Sequence, residues 1–215
     1  MEPKTYLVAL HLIGLVIGLG SVTALDFYLI RFVKGTRVSP SDADLVHLVS
    51  RLAASGLLCL WVSGLGFLIL YRLNAPELLG NPKIHAKLII VGVLTLNGVL
   101  LHFKLLPQIR RAVGHTLFGA GTLLGSNAWV RICAPVSVAS WWMPFVLGAV
   151  RELNFAAPIW VFLAAYIAAL AVCGIGFAAI ETRLLGRKSD PVLRASPPPQ
   201  VGHSLAAATP DQQPQ

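Results

Sequence analysis

Charge is scarce in this chain. Only 12% of its 215 residues are charged, and nine residues are acidic, whereas about a quarter of a water-soluble domain is charged. Cysteine is limited to Cys59, Cys133 and Cys173, with no CxxC pair and no histidine at zinc-finger spacing. Small packing residues are therefore expected, in preference to a disulfide or a zinc site. Basic residues exceed acidic ones for a formal charge of +8, but they sit in short flanks, with no basic helix or base-stacking platform, so nucleic acid is not an expected partner. A cleavable signal peptide is not expected either: the first apolar stretch exceeds the ~7 to 15 residues of a signal h-region and lacks a small-x-small cleavage site.

What the chain has in abundance is apolar length. Hydrophobic residues make up 56% of it, and its mean hydropathy is +0.73. Five apolar stretches run from Tyr6 to Ile30, Ala53 to Leu70, Ile84 to Leu106, Val130 to Val150 and Ile159 to Ile180. Each approaches or exceeds the ~20 residues a helix needs to cross a ~30 Å hydrocarbon core. The reading is an all-α, polytopic membrane helical bundle of five transmembrane helices over residues 1–188, followed by a disordered Pro-, Ala- and Gln-rich cytoplasmic tail over 189–215. Twelve of the 17 basic residues, including Arg31, Arg37, Arg51, Lys104, Arg110, Arg111 and Arg131, fall on one side if the N-terminus is outside. That asymmetry predicts an outside N-terminus and a cytoplasmic C-terminus in a bacterial-type plasma (inner) membrane.

Local signals mark the helix ends. Ser39-Pro40-Ser41-Asp42 supplies an N-cap, a proline for the first helical position and an acid in the first turn, so a helix should begin there and run through Arg51 into the membrane; Asn81-Pro82 repeats the signal. Thr116 to Ser126 is apolar, glycine-rich and too short to span, which suits an interfacial segment. Gly14 and Gly18 form a GxxxG, suited either to close helix packing or to a flat cofactor against the backbone. Pro135 and Pro144 flank Trp141-Trp142 in the fourth span, and this aromatic pair is expected to line a cavity.

An ionisable residue inside a span is a functional hypothesis by default. At 100° per residue, His11, Gly14, Gly18, Val22 and Leu25/Asp26 share one face of the first span, and Lys87, Leu94, Gly98 and His102 share one face of the third. The first and third spans run the same way, which puts His11 level with Lys87 and Asp26 level with His102. Asp26 is expected either to pair with Arg51 or Arg131 or to relay a proton with His102.

The run His85-Ala-Lys87-Leu, following a histidine in the first span, resembles the HemJ-type protoporphyrinogen oxidases and the wider group of small CopD-like membrane proteins. The resemblance covers about residues 6–106. It implies a bundle that binds b-type haem, with His11 as axial ligand to the metal, Gly14 and Gly18 beside the macrocycle, His85 as an alternative ligand and Lys87 as the companion catalytic residue. The chain departs from that family in having five spans where the family has four, and Asn97-Gly98 followed by His102 where the family has Tyr-His-His. An uncharacterised membrane-protein family sharing the His, the Asp and the Asn-Gly-x-x-x-His pattern is similar too.

The function expected is therefore haem or porphyrin binding with a redox or electron-transfer role, a membrane oxidoreductase if it is an enzyme. The competing readings are a proton-coupled transporter built on Asp26, His102, Lys87 and His11, and an accessory or scaffold subunit without a cofactor. Membrane lipid is the expected surrounding, with a second copy of the chain or a redox partner as protein partners.

Overall fold

A computed structural model describes residues 2–33, 36–116 and 128–186. The tail from Ser189 lies outside the described residues, as does all of the expected interfacial segment beyond Thr116. Six α-helices account for most of the rest: α1 (Pro3–Val33), α2 (Pro40–Asn74), α3 (Pro82–Leu100), α4 (Leu106–Arg111), α5 (Ala128–Ala149) and α6 (Ile159–Gly186). Among the described residues there is no β-strand, only two isolated bridges. Five helices are long and apolar enough to cross a membrane, over Pro3–Phe32, Pro40–Asn74, Pro82–Arg111, Arg131–Ala149 and Ile159–Ile180. The chain is thus an all-α membrane helical bundle with five spans. Its upper end is defined here as the one carrying Pro3 and the α2–α3 turn, and its lower end as the one carrying the α1–α2 loop and α4.

The helix starts follow from local chemistry. Ser39 caps α2: its side chain accepts from the Asp42 backbone N–H at 3.2 Å, while the Ser39 N–H donates to Asp42 at 2.8 Å, a complete capping box with Pro40 at the first position. Asn81 caps α3 by accepting from the Lys83 N–H at 3.0 Å. At 35 residues, α2 is about 52 Å long, well beyond the hydrocarbon core, so its polar first turns extend below the membrane.

The helices form two groups. In the first, α1 and α2 are antiparallel and pack closely because small residues face each other: Gly14 lies against Cys59 and the Gly56 carbonyl, and Gly18 against Gly56. In the second, α3, α5 and α6 enclose Ala86, Ile90, Ala139, Leu147, Phe162 and Tyr166, and Ser140 and Tyr166 share a hydrogen bond of 2.7 Å across α5 and α6. Trp141 joins the groups by seating its ring in the notch that Gly18 leaves on α1. It is buried there, while Trp142 is 44% exposed. The Trp pair therefore does not line a cavity as expected; consecutive helical residues point 100° apart, and only one of the two can face the bundle.

The lower end is tied by a separate cluster. Phe32, Val38, Ala43, Val46, Ile109 and Ala112 form a small apolar core there, and the α1–α2 loop pairs with the chain after α4 through Val38 N–H to His115 O at 3.0 Å and Gly114 N–H to Val38 O at 2.8 Å. Asp42 accepts from the Tyr28 hydroxyl and the Arg31 guanidinium. Arg31 also lies over the rings of Tyr28 and Phe32 at 4.1 and 4.8 Å, which fixes its head by cation–π attraction as well as charge.

Candidate functional site

The most informative polar contact inside the spans joins α1 to α2. His11 Nδ1 lies 2.8 Å from Ser63 Oγ. Ser63 is fully buried, and its hydroxyl donates to the Cys59 carbonyl at 2.6 Å, with the Leu60 carbonyl at 3.2 Å. A hydroxyl has one hydrogen. With that hydrogen on α2's own carbonyls, the His11 contact must run the other way: Nδ1–H donates and Ser63 Oγ accepts. The tautomer follows, and Nε2 carries the lone pair. Phe67 holds the ring edge-on at 5.8 Å, and Tyr71 stacks on Phe67 at 6.1 Å. A histidine whose Nδ1 is fixed by a hydrogen bond while Nε2 carries the lone pair is the arrangement expected of a metal ligand or a proton acceptor.

Lys87 enters from α3 and lies within electrostatic reach of His11. The Lys87 ammonium lies over Gly148 of α5, 3.6 Å from where a Cβ on that glycine would stand, so the absence of a side chain at 148 leaves room for it. Among the described residues no hydrogen-bond acceptor or carboxylate partners Lys87. An ammonium so placed is suited to an anion supplied from outside the bundle.

The other expected site residues disperse. Gly14 and Gly18 are taken up by α2 and by Trp141, so neither offers a bed for a macrocycle, and the packing reading of the GxxxG is the one that holds. His85 is exposed and turned about 160° from Lys87 on α3, since two residues subtend 200°. It lines an open groove of about 440 Å³ at the upper end of α2 and α3, a groove to which neither His11 nor Lys87 contributes. His102 is exposed too. Gly98, a turn earlier on the same face, is exposed as well, so that face has left the bundle before His102 is reached. A π-helical turn follows at Leu101–Leu105, closed by Leu106 N–H to Leu101 O. Pro107 can donate no N–H, and its ring clashes with the carbonyl four residues before it. Widening the preceding turn relieves the clash.

Asp26 is half-buried in α1. With His11 opposite Ser63 and Gly18 opposite Gly56, Asp26 falls opposite His47 and Leu48, about a turn below Arg51, which is exposed. The expected Asp26–Arg51 pair is therefore not formed, and among the described residues the lower-end ion pair is Arg31 with Asp42. Arg131 lies exposed near the start of α5.

One residue read only as a flanking charge is structural. Lys83 is 4% exposed; its ammonium donates to the Val150 carbonyl at 2.6 Å and to Asn154 Oδ1 at 3.1 Å, and Asn81 Nδ2 approaches the same Asn154 oxygen at 3.4 Å. A cation on the carbonyl end of α5 satisfies an orphan acceptor and complements the helix dipole. Lys83→Met should lower stability by about 2 kcal/mol, the scale of hydrogen bonds to a charged group, read as a lower melting temperature of the detergent-purified protein. A melt unchanged from the parent would remove this role.

Fold and site together define a class: a polytopic helical membrane protein with an oriented histidine and a lysine in the upper half of its bundle. No protein-family model, curated protein or solved structure matches this chain.

Proposed function

We propose that this integral membrane protein binds one b-type haem or a related porphyrin in the upper half of the bundle, which His11 would hold through Nε2 and Lys87 through its positive charge, and serves in electron transfer or porphyrin oxidation. The observation that carries the reading is the fixed His11 tautomer, with Nδ1–H on Ser63 and the Nε2 lone pair available. The residues fit one histidine ligand and one cation; they do not fit a second histidine, because His85 is turned away. Nor do they fit a macrocycle laid on Gly14 and Gly18. Bound haem would supply one-electron chemistry. Ser63 orients the imidazole, Phe67 restrains its ring, and Lys87 balances the negative charge of the ligand. The pyridine-haemochrome assay of full-length protein from haem-supplied cells should give about one haem b per chain, and a haem-free, folded protein that takes up no haemin would reject the reading.

The filled glycine notches favour a second reading, in which the same Nε2 accepts a proton and the chain is part of a proton-coupled transporter. Proton uptake into proteoliposomes that is lost in His11→Ala, in protein lacking haem, would select it.

We also propose that the upper end faces outward across a bacterial-type plasma membrane. The lower end carries Arg31, Arg37, Arg51, Lys104, Arg110, Arg111, Arg131 and Arg183, against Lys4, Arg72, Lys83, Lys87 and Arg151 toward the other side. A reporter active only in the cytoplasm should work when fused at the C-terminus. A silent fusion expressed at normal level would invert the topology.

A further inference from the structure

The groove at the upper end of α2 and α3 lies apart from His11, and its lining has a chemistry of its own. The Pro76–Gly80 turn joins the two helices above it, and Trp61 Nε1 donates to Thr95 Oγ1 at 3.0 Å below it. Between these ties the walls are aliphatic: Leu68, Ile69, Leu73, Leu79, Ile84 and Leu88. Ile69 and Leu73 are 62% and 75% exposed on the lipid-facing surface of a span, so the phase that reaches the groove is the bilayer itself. Two polar groups complete the lining, Arg72 and His85, both near the helix ends where headgroups lie. Among the described residues no carboxylate pairs with Arg72, and no acidic residue lines the groove.

We propose that this groove holds one anionic phospholipid, with its phosphate on Arg72 and His85 and an acyl chain along the aliphatic wall. A guanidinium presents paired N–H donors that match phosphate oxygens, the imidazole adds a donor, and the six aliphatic side chains offer no polar group to a competing soluble anion. A zwitterionic lipid would fit the wall equally but would bring its own cation to Arg72. Charge therefore makes the distinction between lipids.

The test is native mass spectrometry of full-length, delipidated protein incubated in mixed micelles with phosphatidylglycerol or with phosphatidylcholine of the same acyl chains. One phosphatidylglycerol should be retained in preference to phosphatidylcholine. Arg72→Ala, at an exposed position that should not disturb folding, should weaken retention about tenfold, the effect of losing one charge-assisted contact. Leu88→Trp should lower it by filling the wall, and Arg183→Ala at the lower end should leave it unchanged. Equal retention of the two lipids, full retention by Arg72→Ala, an equal loss in Arg183→Ala, or competition by bare glycerol phosphate as strong as by the lipid would each overturn the proposal.

Discussion

Gly56→Leu should separate α1 from α2 and lower the melting temperature of the detergent-purified protein by about 10 °C. Even a single Cβ at position 56 would stand 2.5 Å from the Gly18 nitrogen, 2.6 Å from its Cα and 2.7 Å from the Gly14 carbonyl. These are backbone atoms of the facing helix, so no side-chain rotation relieves the overlap. Overpacking a well-filled interior costs about 1 to 3 kcal/mol, and rigid backbone on both sides puts this site at the upper end. At roughly 2 to 4 °C per kcal/mol for a chain of this size, the shift follows. Gly64→Leu is the control: nothing lies within 4 Å of a Cβ there, and in lipid an added apolar side chain on an open face costs little. Since Gly→Leu raises helix propensity at both positions, equal losses in the two variants would mean that added bulk anywhere on α2, not the close approach of α1 and α2, sets the effect.

His11→Ala should abolish haem retention while leaving most of the fold intact. The substitution removes the proposed iron ligand but none of the glycine contacts that hold α1 to α2. Ser63→Ala provides a graded comparison. It leaves the His11 ring in place but removes the acceptor at Nδ1, 2.8 Å away, and loss of such an orienting partner weakens metal affinity by about 10- to 100-fold. Haem content should therefore fall in the order wild type, Ser63→Ala, His11→Ala, with the Soret intensity of each compared at equal amounts of monodisperse protein. Retention in His11→Ala equal to wild type would exclude this histidine as the ligand.

How much of this was legible in the sequence depended on the range over which each signal acts. Hydropathy and capping are local, so the five spans and the starts of α2 and α3 at Ser39 and Asn81 could be read directly. That the charge of Lys87 acts on His11 was within reach of a reading of two regular spans running the same way. His102 was misplaced because helical phase alone does not show where a face loses its neighbours, and the face shared with Lys87 is already exposed at Gly98. Gly56, Cys59 and Ser63 do form a small-residue face at spacings of three and four, but its partner on α1 appears only once the two helices are in register. Arg51 and Arg131 were offered as partners of Asp26 by their side of the membrane alone, and a shift of about one turn was enough to separate Asp26 from Arg51. Lys83 read as a flanking charge, since its acceptors, the Val150 carbonyl and Asn154, lie about 70 residues away in the chain.

The measurement that bears most directly on the His11 site is the visible absorption spectrum of full-length, detergent-purified protein during titration with haemin. A saturable shift of the Soret band at about one haemin per chain, present in wild type and absent in folded His11→Ala, is the predicted result. Wild-type protein that stays colourless without saturable uptake, or a His11→Ala variant that titrates as wild type does, would contradict it.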